Sequence, residues 1–227
     1  SVDNLFSTSA SPEKTTPVQS ELQVIEHTKS VLVKDPRFHA ITPGDIQQIF
    51  TNEPGHSTAV SLVNERFLLG LDLYDALRLK EAIQHLEKAK RHASDLYLEV
   101  LEPVLLSRIY LVLGLSYLEE NMKGQAHVAF KKMFLLHPQR KVRKGYYSTE
   151  TEQALKAALM DALSSDNHPW PMDNQHLSSL LKRIKATQAI LFIESDQQIE
   201  WVTTDGIRTW SDSESFEGKT TDAVTSR

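Results

Sequence analysis

The chain has 227 residues, of which 40% are apolar and 24% are charged, and its formal net charge is −5. These values predict a folded protein of one or two domains, and the acidic balance argues against general nucleic-acid binding. The absence of cysteine excludes disulfides, thiolate metal sites and thiol catalysis. No run approaches the roughly 18 apolar residues that a membrane-spanning helix needs.

The first 57 residues are predicted to contain a tail and then a small helix–strand–helix segment. Residues 1–20 are rich in Ser, Thr and Pro and carry too few apolar side chains to pack. Residues 21–57 follow, with a helix to Lys34, a strand at 37–42 and a second helix that starts near Thr42. The start at Ser1 rather than Met leaves two origins open, removal of a signal or lipoprotein leader and an arbitrary boundary.

The most regular pattern is a repeated arrangement of small and aromatic residues, in which Gly114 follows Gly70 by 44 positions. In the second copy the shared positions are Tyr110, Leu113, Gly114, Tyr117, Ala126, Phe130 and Met133, and Pro138 closes its second helix. In the first copy they are Arg66, Leu69, Gly70, Leu73, Ala82, Leu86 and Ala89. Small residues on facing helices allow close approach, so each copy is predicted to be a helical hairpin, at about 63–96 and 107–140.

The order of these residues resembles the tetratricopeptide repeat (TPR), a helix–turn–helix unit with an aromatic, Leu-Gly, Tyr, Ala, Phe and Pro signature. Met133 departs from the signature, and Arg66 makes the first copy degenerate. The family period is about 34 residues, so the extra length is expected in Ser94–Pro103 as longer helices or a longer loop. The resemblance implies a helical solenoid that binds proteins rather than a catalyst.

In this family the first helices of stacked repeats form a concave binding surface. Carried over by position, that surface would consist of Asn64, Phe67, Leu68, Leu71, Tyr74, Arg108, Leu111, Val112, Leu115 and Glu119. A mostly apolar groove with a few polar groups suits an extended or helical peptide. The alternative is that another segment of the same chain fills the groove.

A basic patch and a further helix follow the repeats. The patch consists of Lys131, Lys132, Arg140, Lys141, Arg143 and Lys144. It predicts contact with an acidic partner, a phosphate or anionic lipid headgroups, and the alternative is an ordinary solvated face near a helix C-terminus. Thr149 and Glu152 predict a capping box at the start of a helix that runs through Leu163. This helix would cover the open end of the second hairpin and complete a helical domain at 58–165.

The C-terminal part is predicted to contain a helix and a β-hairpin at 174–210 and a flexible tail at 211–227. The predicted strands are Ala189–Glu194, Ile199–Thr204 and a third at Ile207–Trp210. Residues 21–57 and 174–210 are expected to pair into one unit, which resembles the N-terminal α/β domain of TolB-type periplasmic proteins. The predicted fold class is mainly α, with a short TPR-like solenoid flanked by a small α/β portion.

The sequence predicts no catalytic residues, metal or cofactor. Its nine histidines form no metal-binding array, and its eight glycines form no phosphate loop. The predicted function is a non-catalytic scaffold or adaptor that binds protein partners. The basic loop and the segment after it resemble envelope-associated repeat proteins of bacteria, which implies a periplasmic or envelope location, with the cytoplasm as the alternative. Two other functions stay open: a small-molecule-sensing or enzymatic α/β unit braced by the helices, and a self-associating structural subunit.

Overall fold

The computed structural model describes residues 43–137, 145–164, 174–194, 198–204 and 209–215, together with Ile41 and Arg140. These residues divide into two compact units, one that contains 46–164 and one that contains 174–215 with the residues before 46. The tail and helix predicted within residues 1–34, and all but Ile41 of the strand predicted at 37–42, lie outside the described residues.

The described part of the chain is mainly α-helical, as predicted. Its first unit contains α1 (Pro43–Thr51) from Ile46 onward, and all of α2 (His56–Asp75), α3 (Leu79–Asp95), α4 (Leu98–Leu101), α5 (Pro103–Glu119), α6 (Lys123–Leu136) and α7 (Thr149–Ser164). The start of α1 agrees with the prediction from its Thr-Pro-Gly-Asp sequence. None of the helices in the described ranges is both long and apolar enough to cross a membrane.

The long helices pack in sequence order, α2 against α3, α3 against α5, α5 against α6 and α6 against α7. Apolar side chains spaced three and four residues apart give each helix a buried stripe. The largest fully buried side chains include Phe67, Leu86, Leu106, Phe130 and Met133. Helices α2 and α3 form a first hairpin, and α5 and α6 form a second.

The close helix approach predicted at the two glycines is present in both hairpins. A Cβ atom added at Gly70 would lie 2.7 Å from Cγ of Leu86 on α3. A Cβ atom added at Gly114 would overlap the ring of Phe130 on α6. Glycine at both positions therefore lets a large side chain of the facing helix lie directly against the backbone.

The turns of the two hairpins have the same backbone geometry. Leu77 and Asn121 occupy equivalent positions with φ of 58° and 59°, in the left-handed region. In the first turn the Arg78 N–H donates to the Leu73 carbonyl at 2.9 Å. In the second turn the Met122 N–H donates to the Tyr117 carbonyl at 2.7 Å. A 6→1 bond of this kind closes a helix end and satisfies a carbonyl that the helix leaves free.

The residues that lengthen the first repeat form α4 and its flanks. Tyr97 precedes α4 with φ of 56° and is buried. Its ring centroid lies 5.5 Å from that of Phe50 at the end of α1. The extra length is therefore a packed turn that anchors α1 beside the hairpins, rather than an extension of α3 or α5.

The cap of α7 differs from the one predicted. Ser148, not Thr149, is the capping residue, because its Oγ accepts a hydrogen bond from the Thr151 N–H at 3.2 Å. Glu152 Oε1 accepts from the Gly145 N–H at 2.6 Å, so it fastens the preceding turn instead of closing a box with the cap. The sequence Ser-Thr offers two adjacent cap candidates, and the local hydrogen bonds select the first.

The second unit contains α8 (Asn174–Arg183) and an antiparallel sheet of β1 (Ala189–Glu194), β2 (Gln198–Thr204) and β3 (Thr209–Ser215), in the order β1-β2-β3. Phe192 pairs with Trp201 between β1 and β2, and Val202 pairs with Ser211 between β2 and β3. Helix α8 ends at Arg183, and Lys185 just after it has a left-handed backbone conformation with φ of 56°.

The third strand was placed too early from the sequence. It was predicted at 207–210 with a flexible tail from Ser211, whereas β3 runs through Ser215. The polar sequence of β3 lacks the alternation of apolar residues that marks a half-buried strand. Backbone pairing with β2 defines this strand instead.

Candidate partner-binding surface

Five of the ten residues predicted to line a groove are buried in the helical core. They are Phe67, Leu71, Leu111, Val112 and Leu115. Because these side chains fill space between packed helices, they are not accessible to a partner in this structure. They contribute to the fold, as the apolar stripes of α2 and α5.

The other five predicted groove residues remain at least partly accessible. Asn64, Leu68 and Glu119 are exposed, and Tyr74 and Arg108 are half-buried. The structure brings Arg108 onto Phe67, with the guanidinium carbon 5.4 Å from the ring centroid, within cation–π range. Burial raises the pKa of Tyr74 to about 12, and the nearby carboxylate of Glu119 adds to that shift.

Two of the three described members of the basic patch, Lys131 and Lys132, have partners within the chain. Lys131 Nζ lies 3.1 Å from Oδ1 of Asp161 on α7. Lys132 is half-buried and also has an interaction partner. Burial, and then the nearby charge of Arg108, lower the pKa of the Arg140 guanidinium. Lys141, Arg143 and Lys144 lie outside the described residues.

A different surface on α2 is open. Leu62, Glu65, Leu69 and Asp72 follow one another at spacings of three, four and three residues, which places them along one side of a helix. All four are exposed, with Leu62 at 40% and Leu69 at 43%. We call these four residues the α2 ridge.

The second hairpin shows what covers such a ridge. The positions on α5 equivalent to the α2 ridge are Leu106, Ile109, Leu113 and Ser116, and all four are buried, Leu106 at 0% and Leu113 at 1% exposure. Helix α5 packs against α3 and α2 of the preceding hairpin as well as against α6 of its own hairpin. Among the described residues no hairpin precedes α2, so its ridge lacks the neighbour that covers α5.

The α2 ridge is also negatively charged. Glu65 and Asp72 make no ion pair with any described residue. Among the exposed positions from 57 to 77 there are three acids, with Asp75 as the third, and no Lys or Arg. Glu65 and Asp72 occupy the positions that Ile109 and Ser116 have on α5. Their charges keep the α2 ridge solvated although it also carries two leucines.

The sequence carried a signal for this surface that the repeat pattern obscured. The repeat pattern identifies Leu69 only as part of the Leu-Gly pair of the signature, which does not predict its exposure. The spacing of leucines and acids along α2 is itself that of a helix with a second apolar stripe. The exposure of that stripe depends on the neighbouring element, which a pattern within one repeat does not contain.

Within the described ranges, no group of three or more His, Cys, Asp or Glu side chains is arranged to hold a metal ion. Comparisons with protein-family models, with curated proteins and with solved structures find no match to this chain.

Proposed function

We propose that this chain is a non-catalytic protein-interaction module of the tetratricopeptide type, and that a partner helix docks on the α2 ridge. The observation that carries the proposal is the contrast between two equivalent surfaces. The ridge on α5 is covered by helices of the same chain, and the ridge on α2 is open.

Two features support the tetratricopeptide-like part of the proposal. Both hairpins place a glycine of the first helix against a large side chain of the second, Gly70 against Leu86 and Gly114 against Phe130. Both turns use a left-handed residue and the same 6→1 hydrogen bond. A pair of hairpins that agrees in contact and turn at a fixed interval is what a helical repeat requires.

The chemistry of the ridge indicates the kind of partner. Apolar anchors at Leu62 and Leu69 suit the apolar stripe of an amphipathic helix, a common mode of recognition. Glu65 and Asp72 would be buried by such a helix and then need cations opposite them, since an unpaired buried carboxylate is costly. The proposed partner is therefore an amphipathic helix with Lys or Arg beside its apolar positions.

A capture experiment with matched leucine variants tests the proposal. Leu69→Asp places a third acid on the ridge, whereas Leu77→Asp changes a leucine that is 79% exposed in the first turn, away from the ridge. We expect quantitative pull-downs to show a partner retained by wild type and Leu77→Asp and lost from Leu69→Asp. Circular dichroism would verify that both variants are folded. Identical partners for all three proteins would contradict the proposal.

A further inference from the structure

The last helix of the stack exposes a second ridge. Gln153, Lys156, Met160 and Leu163 of α7 have the same three, four, three spacing as the α2 ridge and are all exposed. Met160 is 58% and Leu163 72% exposed, and the two lie one turn apart on the same side of the helix. We call these four residues the α7 ridge.

The charge of the α7 ridge is opposite to that of the α2 ridge. The three acids of α7 all have partners: Glu150 pairs with Lys123 at 2.7 Å, Asp161 pairs with Lys131 and His127, and Glu152 accepts a hydrogen bond from the Gly145 N–H. Lys156 makes no ion pair with any described residue. The α7 ridge thus presents two apolar side chains and one unpaired cation.

We propose that the partner helix is supplied by a second copy of this chain, with the α7 ridge of one copy packed on the α2 ridge of the next. This inference rests on the proposed function, because it uses the same α2 surface. With the two helices antiparallel, the equal spacing of the ridges places Leu163 opposite Leu62 and Met160 between Leu62 and Leu69. The same register places Lys156 between the carboxylates of Glu65 and Asp72. Both ridges have the spacing that lets two helices interlock along their length.

The two ridges lie on different helices, so each copy keeps one free ridge after a contact forms. Such a heterologous contact produces a ring when its rotation closes and an open chain when it does not. The expected behaviour in solution is therefore a mass that rises with concentration beyond that of a dimer. The charge pairing further predicts that association weakens as the salt concentration rises.

Light scattering coupled to size-exclusion chromatography of the full chain, with charge-reversed variants, tests this assembly. The pair Glu65→Lys/Asp72→Lys makes both ridges positive, and Lys156→Glu makes both negative. Each variant alone should lose association by about tenfold or more, because like charges then face each other. An equimolar mixture of the two should regain it, since each α2 ridge again meets an α7 ridge of opposite charge. Lys88→Glu, an exposed lysine on α3, is the control and should associate like wild type.

The outcomes separate this inference from the function on which it rests. Restoration by mixing supports end-to-end assembly, and a wild-type chain that stays at 25.7 kDa at every concentration overturns it. Association that all the charge variants retain also overturns it, because another surface would then be responsible. If the chain is monomeric but Leu69→Asp alone still abolishes capture of a different protein, the assembly is wrong and the docking function stands. If capture is unaffected as well, both fail.

Discussion

The two hairpins of the helical unit share a backbone plan and differ in what surrounds them. Both have a glycine under a large side chain and the same closing bond in the turn. Leu113 of the second hairpin is nevertheless 1% exposed, whereas the equivalent Leu69 of the first is 43% exposed. Equivalent residues thus contribute differently to stability. The second hairpin packs against a hairpin that precedes it, and in the described part of the chain the first hairpin does not.

Two sets of residues in each repeat can therefore be distinguished. One set stabilises the hairpin itself, and the other packs one hairpin against the next. The glycine contacts and the turns act within each hairpin and are the same in both. The ridge acts between hairpins, and there the copies diverge in charge, with acids at Glu65 and Asp72 where the second hairpin has Ile109 and Ser116. The divergence is the reason to assign the α2 ridge to an external partner.

The largest expected effect comes from truncating the equivalent leucines. Leu113→Ala removes buried contacts and should lower the free energy of unfolding by about 2–5 kcal/mol. Leu69→Ala changes a half-exposed side chain and should lower it by less than about 1 kcal/mol. Urea denaturation followed by circular dichroism measures both. Equal losses would show that Leu69 is as buried in solution as Leu113.

A smaller difference is expected from adding one methyl group at each glycine. Gly114→Ala pushes a Cβ into the buried ring of Phe130, and overpacking of this kind costs about 1–3 kcal/mol, partly offset by roughly 1 kcal/mol of improved helix propensity. We expect a net loss at Gly114 and a smaller loss at Gly70, where the more flexible Leu86 side chain can rotate away. Phe130→Leu combined with Gly114→Ala should cost less than the sum of the two single changes. Full additivity would show that the contact is not strained.

The sequence predicted the interior of each hairpin well and the surfaces between elements poorly. Gly70, Leu86, Gly114 and Phe130 could be assigned because their contacts are local to one helix pair and recur with a fixed spacing. The burial of Leu71, Leu111 and Leu115 could not, since it depends on how α2 and α5 pack with helices distant in sequence.

The third strand and the exposed ridge likewise depend on contacts between separate segments of the chain. Strand β3 has a polar sequence, and its pairing with β2 is a property of two segments together. The α2 ridge is open because of which element precedes it, and no pattern inside α2 contains that information. Local periodicity therefore predicts what a helix buries against its hairpin partner, and long-range packing decides whether its second face is covered.

The turns allow a reciprocal exchange between the hairpins. Leu77 is left-handed at φ of 58°, a conformation that is unfavourable for leucine and tolerated by asparagine. Leu77→Asn copies the second turn into the first and should raise the free energy of unfolding by about 0.5–1 kcal/mol, while Asn121→Leu should lower it by a similar amount. Thermal denaturation detects both signs. A loss of stability in Leu77→Asn would mean that the leucine side chain makes a contact that outweighs the backbone strain.

The smallest expected effect on stability comes from the charged contact between α6 of the second hairpin and α7. Among the described residues, the first hairpin makes no contact of this kind with α7. His127 Nε2 lies 2.9 Å and Lys131 Nζ 3.1 Å from the two carboxylate oxygens of Asp161. The hydrogen bond from His127, and then that from Lys131, hold the pKa of Asp161 below its ordinary value. Because the folded state favours the ionised carboxylate, this stabilisation is fully present above the ordinary pKa of about 3.9 and is lost as the pH falls through the lowered value.

Comparing wild type with Asp161→Asn across pH measures that contribution. We expect the melting temperature of Asp161→Asn to be slightly lower at neutral pH, with the gap closing below about pH 4 as the wild-type carboxylate becomes protonated. The effect is small because the three side chains are partly exposed and water screens their charges. Asp95→Asn is a matched control, since it makes the same change at an exposed aspartate of α3 that has no ion pair with any described residue, and it should lower the melting temperature less at neutral pH. A gap that persists unchanged into acid would show that the asparagine disturbs the packing of α7 rather than the charge of Asp161.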